Sequence, residues 1–140
     1  MLTTYASFAF TVILLVWMGF FTLGSLPLMI LKHDTLLDAR FIRGLFDVYY
    51  KAVMVTSTAG TVSYSLAGRA IPAVVMAIVF TVAFFSRRAV LPRMDALRAR
   101  EEPMELPAIR KFRQLHVTGM LLNITQLLSI CFGMAKFGLS

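Results

Sequence analysis

The chain reads as an all-α integral membrane protein, four transmembrane helices in one antiparallel bundle, and three observations carry that reading. Hydrophobic residues fill 59% of the 140 positions and charged residues only 15%, with a mean hydropathy of +0.78, well outside the range of a soluble domain. Three of the apolar runs have almost no polar face, so they cannot be the walls of a soluble core, and the bilayer has to be their solvent. The basic residues are also gathered in one place: of 14 Lys and Arg, eight lie between Arg87 and Arg113, as the positive-inside rule expects of a cytoplasmic loop. Residues 1–140 form a single domain, with spans predicted over 5–31, 42–66, 71–91 and 112–137 and a basic cytoplasmic loop over 87–113.

Residues 5–31 contain no charge and suffice to cross about 30 Å of hydrocarbon. The stretch is too long for the apolar core of a signal peptide and lacks a preceding basic region, so it is read as a retained first span. Trp17 falls mid-span and is expected to pack, while Gly19, Gly24 and Pro27 mark a kink or close approach near its end. The polar connection KHDTLLDAR follows. His33 and Asp34 within it lack a third metal ligand at suitable spacing, so it is a solvated turn.

The second helix begins amphipathic. Arg43, Asp47 and Lys51 stand at successive i, i+4 steps and pair opposite charges along one stripe. Lys51 lies deep enough that it must snorkel, pair with Asp47 or line a polar cavity. Tyr49 and Tyr50 suit an aromatic belt at the interface. The run TSTAGTVSYS is dense in small and hydroxyl residues, which lets helices approach and hydrogen-bond across the contact, so this is the inner helix of the bundle.

After a tight turn at Gly68 and Arg69, the third helix starts near Pro72. It is apolar to Phe85 and expected to end before Pro92, with the most lipid-exposed surface of the four. The charged segment beyond it, bounded by Pro92, Pro103 and Pro107, is expected to form a short surface helix and a bend. Pro107 then opens a fourth helix that passes Arg110, Lys111 and Arg113 at the headgroups and enters the bilayer near His116.

That last helix carries the most informative stretch, RKFRQLHVTGMLLNITQ. His116, Asn123 and Gln126 are costly to leave in hydrocarbon. At about 100° per residue, His116 and Asn123 lie almost on one line, with Met120 beside them and Gly119 and Gln126 flanking. That line should face protein. Counting Lys and Arg places loops 1 and 3 in the cytoplasm and both termini on the periplasmic or exterior side. Lys51 and His116 then share the cytoplasmic end.

Two readings of these residues stay open. In one, His116, Asn123, Gln126, Lys51, Asp47, Arg43 and Tyr50 are a structural network that fixes helix register, about 1 kcal/mol or less apiece. In the other they form a pocket for a small ligand: haem, porphyrin, a metal or an anionic lipid. For haem, His116 could be one axial ligand, but no second helical histidine exists. Arg87, Arg88, Arg93, Arg110, Lys111 and Arg113 are assigned to the membrane surface. Nucleophilic hydrolysis lacks a nearby acid, the scattered methionines form no soft-metal ladder, and Cys131 alone supports neither a disulfide nor a thiol pair. The net charge of +7 is concentrated as a membrane surface would demand, so no nucleic-acid partner is expected. The expected partners are the lipid bilayer and a larger membrane complex or a homo-oligomer. The cofactor stays unknown.

Four stretches in order, a glycine-containing first helix, GLFDVYYKAVMVTSTAG, LPRMDALRARE and FRQLHVTGMLLNITQLL, resemble the bacterial small membrane proteins related to transmembrane protein 205, a domain of unknown function. The most specific run holds Phe112, Leu115, His116, Leu121, Leu122 and Asn123; Asp47 and Val48 depart from the pattern. The resemblance implies a four-helix protein of a bacterial inner membrane whose biochemical activity is not established. Between a non-catalytic accessory subunit and a membrane enzyme using the His116 face, the residues favour the accessory subunit.

Overall fold

The computed structural model describes residues 1–30, 36–99 and 105–137. They fold into four long helices and, among the described residues, no strand: α1 (Leu2–Leu28), α2 (Leu36–Leu66), α3 (Ala70–Arg98) and α4 (Leu106–Phe137). Consecutive helices are neighbours and α4 closes the ring against α1, with the broadest contacts between α2 and α3 and between α1 and α2. Helices α2 and α4 therefore face each other across the diagonal. The α2–α3 connection is tight because Gly68 takes a left-handed φ of 71°, open to glycine at little cost, and Arg69 N–H closes back on the Tyr64 carbonyl.

Three helices, Leu2–Leu28, Ala70–Arg98 and Leu106–Lys136, are long and apolar enough to cross a membrane. Their outward side chains, Phe8, Val16, Phe20, Val74, Ile78, Phe85, Leu128 and Phe132 among them, stand exposed on the bundle surface. A helical, apolar chain with such a surface calls for lipid around it.

Each helix turns one stripe inward. On α1 this is Ser7, Thr11, Leu14, Met18, Phe21 and Ser25, spaced by three or four residues as a helix face requires. On α4 it is Phe112, His116, Gly119, Met120, Asn123 and Ile130, so the predicted line does face protein. The diagonal is bridged by Phe46, whose ring lies so close to Gly119 that a Cβ there would collide with it. Phe46 also meets Phe21 edge-on at 4.9 Å. Gly60 does a similar service for Met76 of α3, which would stand 3.3 Å from an added Cβ. Without a hydrophobic force between helices in lipid, such close approach supplies the association energy.

Several expectations need correcting. Pro92 does not end α3: the helix runs through it to Arg98, so most of the expected basic loop 87–113 is the last turns of α3 and the first turns of α4. The buried faces of Val90, Leu91, Met94 and Leu97 hold it helical, while Pro92 points outward at the helix surface. The hydroxyls of the TSTAGTVSYS run mostly bond within their own helix, Thr56 to the Ala52 carbonyl, Ser57 to Val53 and Thr61 to Ser57, the ordinary retreat of Ser and Thr in an apolar helix. Tyr49 and Tyr50 are not an outward belt, since both are buried. The predicted turn at His33 and Asp34 lies outside the described residues, as does Arg100.

Candidate functional site

The residues that the sequence reading had merged into one polar network fall into two groups. The first is centred on Asn123. Its Oδ1 accepts from the Tyr49 hydroxyl at 2.6 Å. Its Nδ2 donates to the Met18 carbonyl at 3.0 Å and to Thr22 Oγ1 at 2.7 Å. Thr22 in turn donates its own proton to the Met18 carbonyl, leaving a lone pair for Asn123. Both amide hydrogens and one carbonyl lone pair are thus committed, and the amide ties α4 to α1 and α2 at once. The Tyr49 ring is held for this by stacking on Phe21 at 4.0 Å.

His116, two turns earlier on α4, is fully buried, its ring edge-on to Phe46 with centroids 5.7 Å apart. It shares the Phe46 wall with the Asn123 layer. Gln126 is only partly buried and is not among the groups bonded to Asn123.

The second group joins α2 to α3. Arg43 grips Asp95 with two bonds, Nε to Oδ1 at 3.0 Å and Nη2 to Oδ2 at 3.1 Å. Asp47 receives Lys51 at 2.6 Å and Arg87 at 2.8 Å. The expected Asp47–Lys51 step of the charge ladder is therefore present, but Arg43 looks across to α3 instead of along its own helix. Lys51, with a side chain 60% exposed, stands on the outer surface and not beside His116. Tyr50 turns its hydroxyl toward Ser86 of α3. Arg43, Asp47, Lys51 and Tyr50 accordingly form an α2–α3 seam, separate from the layer of His116 and Asn123.

Of the surface basic residues, Arg88, Arg93, Arg110, Lys111 and Arg113 are exposed, with Arg88 lying over the Phe84 ring at 4.6 Å and Arg113 reaching the Met29 carbonyl. Arg87 instead turns inward to Asp47. No group of three or more His, Cys, Asp or Glu able to hold a metal occurs among the described residues.

Sequence reasoning missed Thr11, Thr22, Tyr64 and Asp95. A signal for the first two existed: Ser7, Thr11, Thr22 and Ser25 stand at helical spacings on α1, a polar thread through an otherwise apolar span. Asp95 lay in a segment read as loop. No protein family, no curated protein and no solved structure matches this chain.

Proposed function

We propose that the chain is a four-span integral membrane protein of a bacterial inner membrane, related to the transmembrane protein 205 group, that acts as a non-catalytic accessory or binding subunit against other membrane proteins or lipid. The observation that carries it is the commitment of Asn123: its donors are spent on helix-to-helix bonds, so this amide works as a fixed clamp with little capacity left for a substrate. The fourth span is α2. Its Lys51 and Arg43 carry charges, but each is paired to a carboxylate, which lowers the penalty of a position near lipid, and α2 packs along the full neighbourhood of α1 and α3. The clustered Arg88, Arg93, Arg110, Lys111 and Arg113 support an orientation with the α1–α2 and α3–α4 connections cytoplasmic.

The alternative, a haem, porphyrin or metal protein centred on His116, makes an opposite prediction. Purification in mild detergent followed by an absorption spectrum, metal analysis and identification of co-isolated membrane proteins separates the two. The accessory reading expects a colourless, metal-free chain with one stoichiometric membrane partner or a homo-oligomer. A Soret band or bound metal that disappears in His116→Ala would overturn it.

A further inference from the structure

At the end of the bundle away from the ion pairs, where α1 begins, α2 turns into α3 and α4 finishes, the helices part around a cavity of about 300 Å³. Its buried floor is Thr11, Tyr64, Met76 and Ile130. The opening is flanked by Tyr5, Phe8, Ile71 and Val75, all exposed, with Arg69 among the lining residues. Gly133 keeps the space open: a Cβ built there meets no atom within 4 Å.

The polar groups of this cavity differ from those around Asn123. Thr11 donates its one proton to the Ser7 carbonyl at 2.9 Å, so in its 2.8 Å contact with Tyr64 the tyrosine must be the donor. Both hydroxyl protons are then used, and the floor offers no strong donor. Ser129 likewise spends its proton on the Thr125 carbonyl. The remaining donors are the hydroxyls of Thr4 and Tyr5 near the opening, which are neutral, the N–H groups of Ala70 and Ile71 at the start of α3, where Arg69 is the N-cap and provides no side-chain cap, and the one charged donor, the guanidinium of Arg69, which has no carboxylate partner among the described residues. The sequence holds no Asp or Glu from Val48 to Met94, nor from Leu106 onward, so no acidic side chain on these stretches competes for that charge.

An apolar chamber of this size is at the small end of ligand sites, and its walls would hold water poorly. What complements it is an alkyl chain ending in an anion. We propose that this cavity binds one chain of an anionic amphiphile, with the carboxylate or phosphate on Arg69 and the uncapped first turn of α3, and the methylenes running between Phe8, Val75 and Ile130 toward Met76. The site rests on the membrane reading only for its supply, because Arg69 then stands at headgroup depth and the chain enters from the adjoining leaflet.

The test uses the whole chain in phosphatidylcholine nanodiscs, with a spin-labelled stearate and its methyl ester as probes. Failure of the protein to enter the discs sinks the membrane reading; the spectra judge the cavity. Wild type should show a motionally restricted component that saturates near one probe per chain and prefers the acid at least tenfold over the ester. Gly133→Leu, whose Cβ meets no atom within 4 Å and whose isobutyl group extends into the cavity, should abolish the saturable component while leaving thermal stability intact. Arg69→Gln should erase the preference for the acid and keep ester binding. Competition by oleate identifies a single-chain ligand and competition by dioleoyl phosphatidate a phospholipid; either supports the site. The proposal falls if neither competes, if Gly133→Leu binds as wild type does, or if Arg69→Gln retains the acid preference.

Discussion

Asn123 and Arg69 each set a strong donor among apolar helices, and the bundle treats them in opposite ways. Asn123 has both amide hydrogens and its oxygen engaged within 3.0 Å by Met18, Thr22 and Tyr49. Arg69 stands beside a cavity whose floor hydroxyls, Thr11 and Tyr64, have already spent their protons, and no carboxylate meets it among the described residues. A polar residue in an apolar helix therefore says little until its donors are counted. Saturated, it is a clamp; unsaturated beside open space, it is a point of recognition.

That contrast is breakable, first at the clamp. Gly119→Leu drives a side chain into the Phe46 ring and should cost about 3 kcal/mol, at the upper end for overpacking; Phe46→Ala in the same chain should recover part of the loss. Equal stability of Gly119→Leu and wild type in a detergent unfolding titration would show that Phe46 needs no access to the α4 backbone. Asn123→Leu comes next, at about 2 kcal/mol, since it removes bonds to two helices and leaves the Tyr49 hydroxyl unsatisfied. Tyr49→Phe should cost about 1 kcal/mol, and the double variant less than the sum; strict additivity would break the clamp.

The α2–α3 seam should yield less. The Arg43 and Asp95 side chains are 31% and 40% exposed, so Arg43→Gln is expected to cost about 1 kcal/mol or less. Exchanging the two charges, Arg43→Asp with Asp95→Arg, should recover part of that in the same titration. The smallest effect is expected at Arg69: Arg69→Gln should move stability by no more than about 0.5 kcal/mol, because no carboxylate partner is lost among the described residues. A loss approaching that of Asn123→Leu would erase the distinction between the two sites.

The contrast between these residues also marks how far the primary structure can be read. The four long helices, the apolar surface that calls for lipid and the inward line of His116 and Asn123 follow from local properties, hydropathy along the chain and the 3.6-residue period, so they were legible in the sequence, whereas the short surface helix expected after α3 is not a separate element. The continuation of α3 past Pro92 was not legible, because it depends on the packing of Val90, Leu91, Met94 and Leu97, and proline at an exposed position of a supported helix is tolerated. Nor could spacing reveal that Arg43 pairs with Asp95 across 52 positions, or that Tyr49 and not Tyr50 reaches Asn123. Two adjacent tyrosines differ by about 100° on a helix, and which of them meets α4 depends on the rotation of α2 about its axis. That rotation is set where Phe46 settles on Gly119. The chain alone announces which residues must find partners; the relative rotation and approach of four helices assign them, and leave Arg69 beside the open cavity.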